Sequence, residues 1–174
     1  MFRSLFRGRE DVFAKRWETP KGKTGYSPVC ENEWINSICN KPVNKCSECK
    51  NYKYSPVTDQ VIYDHLTGNH TIGVYPLLGD DSTCFLAVDF DKTNWQEDSL
   101  AFLETCKEWN VPSSLERSRS GNGGHVWIFF EEPIAASLAR KLGSALLTHT
   151  MEKRYQIGLD SYDRLFPNQD TVPK

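Results

Sequence analysis

The sequence predicts an α+β fold, and three observations carry that expectation. From Cys84 onward, short β-branched or aromatic runs and segments of helical spacing follow in the order strand, helix, strand, strand, helix. The central runs, FLAV and HVWIFF, are almost continuously apolar, as in strands buried on both faces. The chain has 174 residues, 39% of them hydrophobic and 12% aromatic, enough to bury a core.

Taken in order, residues 8–17 (GREDVFAKRW) read as a short basic helix, followed by the Lys/Gly stretch ETPKGKTG and a four-cysteine segment. Thr58 is placed to cap a helix through His65 that Gly68 ends, with Val61, Ile62 and Leu66 as its apolar face. Residues 71–78 and 84–90 read as strands joined in a hairpin by a Gly-Asp-Asp-Ser turn. A helix over 95–109 carries Leu100, Leu103 and Cys106 three apart, with Thr93 or Asn94 as its cap. Strands over 115–120 and 125–130 flank a glycine turn, and a helix over 134–153 sets Leu138, Leu142 and Leu146 on one face. This order is that of a ferredoxin-like (RRM-like) unit whose fourth strand is still to come. The segment after Lys153 is polar and turn-rich, so the expectation is a core truncated before its last strand. Two regions are expected: a basic N-terminal segment with a metal module over 1–70, and the core over 71–174.

The net charge of −2 conceals an asymmetry: residues 1–53 carry eleven Lys and Arg against six acidic residues, the remainder ten against seventeen. A basic third joined to an acidic remainder suits a protein that grips a polyanion with one part and binds cations with the other. No apolar run approaches the ~20 residues of a membrane span. The start, MFRSLFRGRE, is too charged for a signal peptide, so a cytoplasmic protein without membrane association is expected. In that compartment cysteines read as metal ligands or buried thiols. Cys46 and Cys49 have the two-residue gap that lets two thiolates reach one tetrahedral zinc, and Cys30 and Cys39 supply the other pair. The longer gap between Cys30 and Cys39 leaves His65 or His70 as substitute ligands. Cys84 and Cys106, among apolar neighbours, read as core.

The octamer FLAVDFDK runs four apolar residues into two aspartates. Period two puts Asp89 and Asp91 on one face and Phe90 on the other. Aspartates are common where strands stop, but two carboxylates side by side near a core ask for a cation, and a divalent ion held by oxygen is the usual answer. The stretch LERSRSGNGGHVWIFF adds Arg117 and Arg119 on one strand face, Ser120, glycines whose N–H groups can approach an anion, and His125. In a ferredoxin-like sheet the first and third strands are neighbours, so the histidine strand lies beside the aspartate strand. Metal-binding carboxylates beside a phosphate site are the working parts of two-metal phosphoryl transfer.

These residues also carry a resemblance. FLAVDFDK resembles motif I of the archaeo-eukaryotic primase (primase-polymerase) superfamily, and SGNGGH resembles its motif II. With FRGREDVF, the four-cysteine segment and HLTGNHTIGVYPLL, the pattern is similar to the primase domain of prokaryotic TOTE conflict systems and of CRISPR-associated primase-polymerases, over essentially the whole chain. The resemblance implies that Asp89 and Asp91 bind two catalytic Mg²⁺ or Mn²⁺ ions. It implies that His125 contacts the incoming nucleotide's phosphates, with Ser120 and Arg119 as helpers and Arg117 further from the turn. A third metal-binding aspartate is expected after the second helix, with Asp170 the best match and Asp160 and Asp163 the alternatives. The implied activity is template-dependent nucleotidyl transfer from an NTP or dNTP to a primer or initiating nucleotide on DNA, with helicase or nuclease domains in a longer parent protein. Two other readings use the same residues. A two-metal nuclease needs the carboxylates but no triphosphate cradle, and a noncatalytic single-strand binder would stack bases on His125, Trp127 and Phe129 but leaves the aspartates without purpose.

Overall fold

The computed structural model describes residues 2–43, 45–153 and 161–172. In chain order its elements are α1 (Phe2–Leu5), β1 (Ala14–Glu18), β2 (Thr24–Pro28), a 3-10 turn at Cys46–Glu48, α2 (Asp59–Leu66) and β3 (Ile72–Gly73). There follow β4 (Ser82–Asp91), α3 (Trp95–Glu108), β5 (Ser114–Arg117), β6 (Gly123–Ala135), α4 (Ala136–Lys153) and β7 (Tyr162–Phe166). They divide into two compact units, Gly8–Tyr75 and Met1–Arg7 with Pro76–Lys174. Among the described residues no helix is long and apolar enough to cross a membrane.

The larger unit is built on a four-stranded sheet of order β5-β6-β4-β7 in which every neighbouring pair is antiparallel. Alternation along β4 sends Leu86, Val88 and Phe90 to one face, where they join Val126 and Ile128 of β6 and Leu165 of β7 in the core. Helices α3 and α4 cover that face with Phe102, Cys106, Leu146 and Leu147. Phe102, Leu86, Val88, Phe90 and Val126 are fully buried, each worth about 1.5–3 kcal/mol of transfer free energy.

The expected missing strand is present: β7 pairs with β4, Leu165 entering the core from a segment whose Asp163 and Arg164 disguise it as a loop. A charged edge strand needs only its inward residues to be apolar. The stripes of the helices differ from expectation as well. In α3 the buried residues are Trp95, Asp98, Ser99, Ala101, Phe102, Thr105 and Cys106, whereas Leu100 is exposed. In α4 they are Ala136, Ala139, Gly143, Leu146, Leu147 and Thr150, with Leu138 outside. Small residues line this face because α4 lies close to the sheet; a Cβ on Gly143 would stand 2.9 Å from Leu86 Cδ2. The cap position of α3 is Asn94, without a side-chain hydrogen bond.

Gly124 permits another close approach. A Cβ there would meet the Trp95 ring at 2.9 Å and the Glu116 carbonyl oxygen at 3.1 Å. Gly124→Ala is therefore expected to destabilise the protein by about 1–3 kcal/mol through overpacking against a rigid ring and backbone, seen as a lowered midpoint in chemical denaturation. A wild-type midpoint would show that Trp95 yields freely.

The smaller unit holds a second sheet, order β2-β1-β3, all antiparallel. The basic helix expected over 8–17 is replaced by the central strand β1 and the buried run Val12, Phe13 and Ala14. The Phe13 to Trp17 spacing suits a helix locally, but pairing with strands on both edges outweighs propensity. The hairpin expected between 71–78 and 84–90 does not form either: β3 pairs with β1, while β6 and β7 occupy the two edges of β4. Thr58 does cap α2, its hydroxyl accepting the Val61 N–H, but Leu66 lies on the exposed side.

Candidate active site

The site stands where the apolar run of β4 gives out. Asp89 is directly opposite His125 on β6 and Arg164 on β7, and His125 is opposite Glu116 on β5. Directly opposed residues share a face. A single row, Glu116–His125–Asp89–Arg164, thus crosses all four strands on the face turned away from α3 and α4. Asp91, two residues further along β4, lies on that face opposite Gly123, which contributes no side chain to fill the space.

Within the row, His125 Nε2 is 3.6 Å from Asp89 Oδ1 and Nδ1 is 3.4 Å from Glu116 Oε2. Trp127 Nε1 donates to the same Glu116 oxygen at 2.7 Å. The bond to Glu116 raises the His125 pKa above its ordinary value; burial opposes this and the charge of Asp89 adds to it. Glu116 is held low, chiefly by His125 and also by Trp127. Asp89 moves the other way: burial pushes it up, and Asp163 and Asp91 add to that push against the pull of His125 and Arg164. Asp91 Oδ1 is buried and has no hydrogen-bond partner among the described residues.

A bulge brings the third carboxylate. The register of β4 with β7 runs Asp89 to Arg164 and then Phe90 to Tyr162, leaving Asp163 as an extra residue. Such a bulge re-aims side chains at a strand's end, and Asp163 is among the charges that act on Asp89. Arg164 is ion-paired with Asp163. The junction is tied to α3 through Ser161, whose carbonyl accepts the Asp91 N–H at 2.7 Å. The Ser161 hydroxyl and N–H donate to Asp98 Oδ2 at 2.6 and 3.3 Å, and Asp98 is 1% exposed. Sequence reasoning passed over Asp98; its signal was an acidic residue three positions after Trp95, on the side of α3 that packs inward. Glu116 was passed over because nothing local says which side chain a carboxylate on β5 will meet.

The other expected site residues are placed as follows. Strand β5 ends at Arg117, whose guanidinium folds back to donate to the Gly121 carbonyl from Nε and Nη2 at 3.1 and 3.0 Å. Ser120 Oγ lies 3.1 Å from Ser118 Oγ and accepts the Asn122 N–H. Arg119 is exposed and makes no ion pair among the described residues. Asp170 is paired with Arg140 of α4 at 2.6 Å rather than with the aspartates of β4, and Asp160 lies outside the described residues.

In the smaller unit, Cys30, Cys39, Cys46 and Cys49 line a single pocket with Ile38, Tyr52 and Tyr54. The Lys53 N–H donates to Cys30 Sγ at 3.3 Å. No three His, Cys, Asp or Glu side chains among the described residues stand in an arrangement that would hold an ion. His65 Nδ1 instead accepts the Ile72 N–H, and His70 Nε2 is buried without a hydrogen-bond partner. Cys84 and Cys106 are buried, and burial raises both thiols above their ordinary value.

A comparison with curated proteins finds no match. The family model described as "TOTE conflict system, Archaeo-Eukaryotic Primase domain" matches residues 1–174. With the aspartate strand, the histidine strand and the bulged carboxylate strand assembled on one sheet face, the chain belongs to the archaeo-eukaryotic primase domain family of TOTE conflict systems.

Proposed function

We propose that this chain is a primase-polymerase catalytic domain that transfers a nucleotidyl group from an NTP or dNTP to a primer or initiating nucleotide on a DNA template. The observation that carries the reading is the placement of Asp89 and Asp91 on one sheet face at the end of β4, with a buried, unpartnered Asp91 oxygen, His125 on the neighbouring strand and Asp163 among the charges that act on Asp89. Mutually repelling carboxylates in a partly buried place are stabilised by cations between them. Asp89, Asp91 and Asp163 are the residues that would hold Mg²⁺ or Mn²⁺. Divalent ions supply neutralisation of the attacking and leaving oxygens in phosphoryl transfer. His125, whose pKa is raised, offers a cation to the phosphates from the adjacent strand, and the exposed Arg119 offers a second. The ferredoxin-like assignment of the core rests on its antiparallel strand order, in which the first and third strands of the core are central.

Primer extension tests the reading. The purified chain is given a labelled primer-template, Mg²⁺ or Mn²⁺ and either nucleotide class. Elongation supports nucleotidyl transfer, shortening of the strand supports the nuclease, and binding without either supports a noncatalytic single-strand binder. Asp163→Asn is expected to abolish elongation and Asp170→Asn to spare it, because Asp163 is among the charges that act on Asp89 whereas Asp170 is paired with Arg140 on α4.

The four thiols of the smaller unit are proposed as a structural zinc site and the basic residues of that unit as the part that meets the template, in a longer parent carrying helicase or nuclease domains and of TOTE or CRISPR-associated type. Elemental analysis of reduced protein is expected to find one zinc per chain, with a drop in thermal midpoint on chelation. Metal-free protein of unchanged midpoint would remove the assignment.

A further inference from the structure

We propose that Glu116 is a positioning residue for His125: it holds the Nδ1 edge of the imidazole so that the Nε2 edge faces the Asp89 side of the sheet, where the nucleotide phosphates would lie. This rests on the nucleotidyl-transfer reading of the site. Glu116, His125 and Asp89 are opposed across three neighbouring strands, so the imidazole lies between two carboxylates, one toward each ring nitrogen. A ring on a strand can turn about its side-chain torsions, and neither strand pairing nor the core dictates which edge it shows. Glu116 supplies that choice and is itself fixed, because the Trp127 indole N–H donates to the same Oε2 at 2.7 Å. Trp127 is held in turn by edge contacts with the Phe6 and Phe85 rings. The orienting chain thus runs from packed aromatics through Trp127 and Glu116 to the ring that faces Asp89. A carboxylate that accepts a ring N–H on the far side of a working histidine fixes its orientation and tautomer.

The test is a double-mutant cycle on the full chain with a non-hydrolysable nucleoside triphosphate in Mg²⁺, read by calorimetry. Glu116→Ala is expected to weaken nucleotide binding roughly tenfold and Mn²⁺ binding measured without nucleotide by less than about twofold. In a His125→Ala background, Glu116→Ala is expected to cost nothing further, since Glu116 acts only through the imidazole. An undiminished cost in that background, or no cost in the wild type, overturns the proposal. Glu116→Gln is the conservative control: Trp127 and His125 meet the same Glu116 oxygen, so a glutamine carbonyl in that place keeps both bonds. It should therefore retain the thermal midpoint and most of the nucleotide affinity, and a loss as large as that of Glu116→Ala would overturn the proposal. Nitrogen NMR of the imidazole in its neutral form provides the separate readout, with Nδ1 protonated in the wild type and in Glu116→Gln and the tautomer changed in Glu116→Ala. If His125→Ala leaves nucleotide binding intact, the nucleotidyl-transfer role of His125 fails, and the tautomer measurement alone then upholds or overturns the positioning role of Glu116.

Discussion

Asp89→Ala and Asp91→Ala are each expected to lower nucleotide addition by on the order of 10³-fold or more if they hold the proposed charge-neutralising ions, since losing such a ligand costs several kcal/mol of transition-state stabilisation. The fold should survive, because neither carboxylate supports the core: Leu86, Val88 and Phe90 do so from the opposite face. Stability is expected to shift in the direction set by the Asp89 pKa. That pKa lies above the ordinary value of 3.8, chiefly because burial disfavours the charged form. A raised carboxylate favours the native state when protonated, and this stabilisation is lost as pH rises from the ordinary value through the raised one. In neutral buffer with chelator, Asp89→Asn should therefore melt higher than the wild type, and the difference should vanish in acid below the ordinary value. Excess Mn²⁺ should reverse the order, because the proposed metal site needs its carboxylates intact. An asparagine variant less stable than the wild type under chelation, or an alanine variant that still extends primers, would sink the assignment.

His125→Ala is expected to weaken nucleotide binding by about 1.5–3 kcal/mol, the worth of a hydrogen bond to a charged group, or roughly ten- to 150-fold. Template binding should change little, since the basic residues of the smaller unit are proposed to carry it. The pH dependence follows from the raised His125 pKa, whose first cause is the bond to Glu116. The cation persists above the ordinary value of 6.5 and is lost as pH rises through the raised one, so nucleotide affinity should fall across that window. The alanine variant should show no such fall. Equal losses of template and nucleotide affinity would favour the nuclease or the single-strand binder instead.

Much of the candidate site was readable from local pattern. The two-residue period of a strand alone places Asp89 and Asp91 on one face and Phe90 on the other, and the register opposite Gly123, Gly124 and His125 agrees with it. The hairpin of β5 with β6 follows from a glycine turn between two strand-like runs, and the Thr58 cap from a hydroxyl before an apolar stripe. Each of these depends only on residues a few positions apart.

The tertiary structure decided what depends on distant partners. Helix or strand at 14–18 was settled by pairing on both edges, and the hidden strand at 162–166 by one inward leucine meeting the core. A single extra residue in the pairing of β7 with β4 puts Asp163 in a bulge, among the charges that act on Asp89, while Asp170 meets an arginine 30 positions earlier on α4. Glu116 and Asp98 gain their parts in the same way, one through a strand neighbour and the other across 63 residues to Ser161. Period and capping are properties of the chain's own geometry, whereas register, bulges and cross-strand rows exist only once separate segments have paired.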